Sequence, residues 1–266
     1  MALFVRSPVA CWEPWASVVA ERTIAICRRL AGNRDSERDA GTGNRRTLRV
    51  KRPTTSNQNP LVLRMLLSQD TKNILGLQLP TDPRWVNLAE ISLEDILTDH
   101  AYCEQKAATS CISLIQRYSE KEKIVDELSP IVTEEWGHFR LVLAELQKRN
   151  LKLGKQRKDE YVNELLKFEI KGGNEDDRML DKLLLFALIE ARSCERFKRL
   201  SEGLNDEYLC SFYRRFMESE AGHYTLFIGL AETYIDKEKV RKRWKEWLKY
   251  EAGIMRQLAP RGDRMH

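Results

Sequence analysis

From Leu93 onward the chain carries apolar residues at helical spacing, few glycines, and no proline between Ile131 and Ala259. A stretch that long, with a 3.6-residue period and no period-two alternation, predicts an all-α domain. Ser92, with Asp95 three residues on, reads as the N-cap of a first helix reaching about residue 118. A second helix covers about 121–149, with Pro130 either kinking it or marking its true first turn. A short connector helix over about 157–168 precedes the breaker Gly172-Gly173-Asn174. A third long helix spans about 177–200, and a fourth, capped by Asn205, reaches about 234. A charged fifth helix fills about 236–257, with Trp244, Trp247 and Leu248 as its apolar stripe. Helices one to four then form a four-helix bundle, with the connector and the C-terminal helix outside it.

The 42% of apolar residues suffices for a core, and no run of 18 apolar residues is present, so no membrane span is expected. The six cysteines, at 11, 27, 103, 111, 194 and 210, form no Cys-x-x-Cys pair, which fits free thiols and a cytoplasmic protein. Cys103, Cys111 and Cys194 read as small buried apolar residues. Residues 1–64 hold 12 Lys and Arg against 5 Asp and Glu, whereas the rest of the chain holds 33 against 35. This basic, Gly- and Pro-containing segment reads as a disordered N-terminal extension, with 65–258 as the helical domain and 259–266 as a tail. A targeting leader over 1–32, a basic arm for nucleic acid, or translation from a start upstream of Met65 would each account for the extension.

Only four histidines are present, and two fall in matching motifs, "EEWGHF" at 134–139 and "ESEAGHY" at 218–224. Residues three apart on a helix project within about 60° of each other, so Glu135 with His138, and Glu220 with His223, each aim a carboxylate and an imidazole at one spot. One such pair arises easily in so charged a chain. Two, each followed by an aromatic and preceded by another Glu, point to metal ligation. A carboxylate-bridged metal pair in a bundle needs one more Glu from each of the other two core helices. Glu104 lies on the first helix among small residues, and the third offers Glu190 or Glu195.

Antiparallel helices bring two residues together only if both lie about equally far from the turn. Glu220 lies about 15 residues beyond the turn near 203–205; Glu190 lies about 14 before it and Glu195 about 9, a miss of roughly 8 Å at 1.5 Å per residue. Glu190 is therefore the ligand. Glu104 and Glu135 pass the same test about the turn near Ser119. His100, one turn before Glu104, could bond it from behind but reads better as a partly exposed helix-end residue; Glu195 and Arg192 are placed in a supporting shell or at the surface. His266 carries no assignment. Four carboxylates and two imidazoles suit two irons better than zinc, and leave manganese open.

The stretches "LTDHAYCEQKAA", "SPIVTEEWGHF", "IEARSCERF" and "ESEAGHY", in this order, resemble the tRNA 2-methylthio-N6-isopentenyladenosine hydroxylase family over about residues 66–258. The resemblance implies a ferritin-like bundle and a non-haem di-iron monooxygenase that adds one oxygen atom from O2 to the isopentenyl chain of a hypermodified adenosine beside the anticodon. Carried over residue by residue, its ligands are Glu104, Glu135, His138, Glu190, Glu220 and His223. Gly137 and Gly222, inside the two motifs, depart toward weaker helix formers and leave space beside the metals. The chain has no flavin or nicotinamide fingerprint, so the resemblance implies an external reductase. A tRNA substrate calls for cations near the pocket mouth. Candidates are Lys155, Arg157, Lys158, Lys167 and Lys171 in the connector, and Arg241, Lys242, Arg243 and Lys245 on the fifth helix. The chain is expected to act as a monomer. The competing readings are a ferritin-like oxidase or peroxidase, a hydroxylase of another apolar small molecule, and a non-catalytic helical binding module.

Overall fold

Each of the later helices starts where an acid or amide accepts from its first turn, in a computed structural model that describes residues 75–266. Asn174 accepts from Asp177 N to open one, Asp206 from Leu209 N the next, and Asp236 from Glu238 N and Lys239 N the last. The described residues form α1 (Trp85–Ile91), α2 (Leu93–Arg117), α3 (Glu122–Lys148), α4 (Glu160–Leu165), α5 (Glu175–Gly203), α6 (Glu207–Tyr234) and α7 (Lys237–Gln257), with no strand among them. The domain is all-α.

Local signals misplace three details. Ser92 makes no side-chain cap; its N–H closes α1, a helix too short for its period to show in the sequence. Asn205 does not cap α6; its backbone and side-chain amides donate to Glu90, and the next residue, Asp206, caps instead. Pro130 marks no helix start, because α3 begins at Glu122 and continues through it.

Two antiparallel hairpins, α2 with α3 and α5 with α6, make the four-helix bundle. The crossover between them, residues 149–174, carries α4. A single long crossover leaves all four core helices facing one axis. Towards one end the core is aliphatic, with Ile124 and Leu128 of α3 and Leu183, Leu184 and Leu188 of α5 fully buried. Another part is aromatic, where Phe197, Tyr213 and Phe216 surround His100. Each such side chain contributes about 1.5–3 kcal/mol on burial. The amphipathic α7 lies outside the bundle and seats Trp247 and Leu248 against it, packing on α4, α5 and α6.

Residues 259–266 are packed onto the bundle. Trp85 Nε1 donates to Arg261 O at 2.9 Å, Met265 N donates to Asp99 Oδ2 at 2.8 Å, and Met265 is buried. No helix among the described residues is long and apolar enough to cross a membrane. The expectations for residues 1–64 lie outside the described residues.

Candidate metal centre

The bundle brings Glu104, Glu135, His138, Glu190, Glu220 and His223 to one place on its axis. They fall into two groups whose ligand atoms lie within 4.8 Å of one another: Glu104, Glu135, His138 and Glu220, and Glu135, Glu190, Glu220 and His223. Glu135 and Glu220 belong to both. Glu135 turns Oε2 toward His138 Nδ1 at 3.4 Å and Oε1 toward His223 Nδ1 at 2.7 Å. Glu220 does the same, Oε1 at 3.8 Å from His138 Nδ1 and Oε2 at 3.3 Å from His223 Nδ1. Glu104 completes the first group, 3.3 Å from His138 Nδ1, and Glu190 the second.

Four carboxylates buried this deeply need positive charge. Beyond the carboxylates and imidazoles of the cluster itself, the oxygens of Glu135, Glu220 Oε1 and His138 Nδ1 have no hydrogen-bond partner. Burial raises the carboxyls of Glu104 and Glu190, and the charge of Glu220 helps to push Glu190 well above the usual range. For His138 burial opposes protonation, but bonds to Glu104 and Glu135 outweigh it; His223 is raised likewise by Glu135 and Glu220. Protons are thus held where cations would sit, and metal ions would displace them. The donor set therefore fits a pair of metal ions, with Glu135 and Glu220 placed to bridge.

Behind the imidazoles lies a residue that the spacing argument did not select. Glu134 Oε1 is 3.9 Å from His138 Nε2 and 3.6 Å from His223 Nε2, and it accepts from Ser219 Oγ at 2.6 Å. Burial would raise this carboxyl, but His223 and Ser219 pull it down to about 2. One carboxylate thereby faces the outer nitrogen of both rings, favouring the form with Nδ1 turned inward. The extra Glu upstream of the first motif was the available signal.

His100 corrects its expectation. It is fully buried, with Nε2 at 2.8 Å from Glu104 Oε1, and burial pushes its pKa down to about 3. Arg192 and Glu195 are buried but partnered elsewhere. Arg192 reaches Glu251 at 2.5 Å and Glu195 at 3.0 Å, while Glu195 also takes Arg199 and the Thr81 hydroxyl. That network ties α5 to α7 and to the segment before α1. A Cβ at Gly137 or Gly222 would meet nothing within 4 Å and Gly222 is exposed, so the open space at these positions faces away from the cleft that reaches the carboxylates, which neither glycine lines.

A cleft of about 890 Å³ leads from Glu104, Glu135, Glu190 and Glu220 outward. Cys111, Leu114, Leu185, Ile189 and Phe227 supply apolar wall; Gln105, Lys106, Gln156, Asp159, Ser193 and His266 supply polar wall. Cys103 also lines it and is only half-buried, whereas Cys111 and Cys194 are buried as expected. None of the nine expected tRNA-contacting cations lines it. Arg157 is held by Asp95 and Asp263, Lys167 by Glu164, and Arg243 by Asp181 and Glu246 over the Phe168 ring. Lys155, Lys158, Lys171, Arg241, Lys242 and Lys245 are exposed.

A solved structure named "Protein 43 with aldehyde deformylating oxygenase activity from Synechococcus" is 34% identical, with a TM-score of 0.68 over 71% of this chain and 94% of that one. The likeness identifies the bundle as ferritin-like. A curated relative from Pseudomonas putida, tRNA 2-(methylsulfanyl)-N(6)-isopentenyladenosine(37) hydroxylase, is 34% identical over 163 residues, 61% of this chain and 78% of that protein. Its namesake from Salmonella typhimurium is 28% identical over 243 residues, 73% of this chain and 88% of that protein. The tRNA-(MS[2]IO[6]A)-hydroxylase (MiaE) family model matches residues 68–266, and with the buried Glu and His cluster on its four helices the chain belongs to that family.

Proposed function

We propose that this chain is an O2-dependent di-iron monooxygenase that hydroxylates the isopentenyl side chain of 2-methylthio-N6-isopentenyladenosine in tRNA, next to the anticodon. The observation that carries the reading is the sharing of Glu135 and Glu220 between two ligand groups at the inner end of a cleft, in a chain of this family. A pair of irons, when bound there, would supply the activation of O2, with two electrons and two protons consumed, one oxygen atom entering the C–H bond and the other leaving as water. Those electrons come from an external reductase.

The remaining work belongs to this chain's own residues. Glu104 and His138 would hold one iron, Glu190 and His223 the other, and Glu135 and Glu220 would span both. Glu134 and His100 orient that set from behind. Leu114, Leu185, Ile189 and Phe227 line the cleft and would hold a prenyl chain end-on while excluding water. Lys155 and Lys158 are exposed and near in sequence to Gln156, which lines the cleft, and would meet phosphates of a bound tRNA.

The test is nucleoside mass analysis of hypermodified tRNA after incubation with iron-loaded protein, O2 and a reductant, beside a Glu135→Ala control. The expected product is a prenylated adenosine one oxygen heavier, made only by the unmutated chain. Iron bound and O2 consumed with the nucleoside unchanged would contradict the tRNA assignment. It would favour an oxygenase acting on another apolar molecule, as the Synechococcus protein, an aldehyde deformylating oxygenase by name, acts on an aldehyde.

A further inference from the structure

Residues 261–266 form a strap across α1 and α2 that is held at several points. Trp85 Nε1 donates to Arg261 O and Arg264 O, Arg157 Nη2 donates to Asp263 O at 2.9 Å, and Met265 N donates to Asp99. The strap lies so close to α1 that a Cβ at Gly262 would stand 2.1 Å from Leu88 O. Its end delivers His266 into the wall of the same cleft that reaches the metal-ligand carboxylates. There the imidazole stacks on Tyr161, with ring centroids 5.3 Å apart and planes at 19°, and Nε2 lies 2.9 Å from Ser193 Oγ. Nδ1 is 3.8 Å from Asp159 Oδ2, too far for a hydrogen bond, and its hydrogen-bonding neighbour is the thiol of Cys103 at 3.9 Å, a weak contact that a base edge would displace. Cys103, Asp159 and His266 also lie at metal-ligand separations. However, Lys106 Nζ sits 2.8 Å from Asp159 and supplies the positive charge that a metal ion would bring.

Resting on the tRNA-hydroxylase reading, we infer that His266 is a specificity-determining residue that recognises the purine of the modified adenosine, its ring edge meeting Nδ1 while the prenyl chain runs inward to the metals. The polar wall suits a heterocycle, as the apolar wall suits the chain. A buried site built to hydrogen-bond one edge discriminates strongly, because an unmatched edge leaves polar groups unpaired. Strap and base recognition are thereby one device.

The experiment pairs KM for a modified anticodon stem-loop with equilibrium dialysis of the modified nucleoside against iron-loaded full-length protein without O2. His266→Phe keeps the stacked ring and removes the nitrogens; His266→Gln returns a polar atom; Gly262→Val drives the strap off α1. The expected result is about a tenfold rise in KM and in the nucleoside dissociation constant for His266→Phe and Gly262→Val, with iron content unchanged and partial recovery in His266→Gln. Hydroxylation by the unmutated chain with both constants within about twofold in His266→Phe would overturn the inference and leave the activity standing. If the unmutated chain binds the nucleoside without hydroxylating it, the activity falls and the dialysis alone decides the role of His266. If it does neither, both are wrong.

Discussion

Glu135 and Glu220 each divide their two oxygens between the two imidazoles, a geometry set by residues three apart on facing helices. Glu134 faces the outer nitrogen of both rings at 3.6 and 3.9 Å, so Glu134→Ala should weaken iron retention about 10–100-fold in chelator competition, with Glu134→Gln intermediate. An unchanged retention would remove it from the site. The buried groups also fix a pH dependence. Glu104 and Glu190 have raised folded pKa values, so their contribution is full below the unfolded carboxyl value and is lost as pH rises through the folded one. His138 and His223 are raised too and act in the same direction, from a higher starting pH. Metal-free protein should therefore lose stability in urea as pH rises through neutrality, while iron-loaded protein does not. Parallel curves for the two forms would contradict this charge account. His100 works oppositely: its contribution is full above about 6.5 and is lost as pH falls toward about 3.

Helix order, the two hairpins and the level at which the six Glu and His side chains meet were legible in the sequence, because period and turn position are local quantities. Equal distance from the turn selects Glu190 over Glu195, and the structure places Glu190 in the cluster and Glu195 with Arg192 and Arg199. Caps were less legible, since Asn205 and Asp206 are adjacent and only the contact with Glu90 decides between them. Removing the working cap, Asp206→Ala, should cost about 1 kcal/mol in denaturant unfolding, somewhat more for the Arg149 pair lost with it. Gly137 and Gly222 sit within α3 and α6 with open space at the Cβ position, so Gly137→Ala and Gly222→Ala should each stabilise by about 0.5–1 kcal/mol. A loss of stability there would mean that the glycines serve a close approach the structure does not show.

At the scale of the whole molecule, the sequence misjudged what depends on distant segments meeting. His100 reads as a helix-end residue until Phe197, Tyr213 and Phe216 enclose it, and 259–266 reads as a tail until Trp85 and Asp99 hold it. Charge runs misled for the same reason. Arg157 and Arg243 look like phosphate contacts in the sequence, yet in the fold they join the connector to α2 and α7 to α5. Arg243→Ala should accordingly lower stability in denaturant and leave KM for tRNA within about twofold, whereas a large KM change with intact stability would restore it to the tRNA surface.

The proposed function needs two irons on the bundle axis, held between Glu104, Glu135, His138, Glu190, Glu220 and His223. Anomalous scattering at the iron edge, from crystals of iron-loaded protein, would locate them. Two peaks about 3.5–4 Å apart are expected, one against Glu104 and His138 and the other against Glu190 and His223, with Glu135 and Glu220 between them. A single peak, or iron bound away from these residues, would contradict the proposed function.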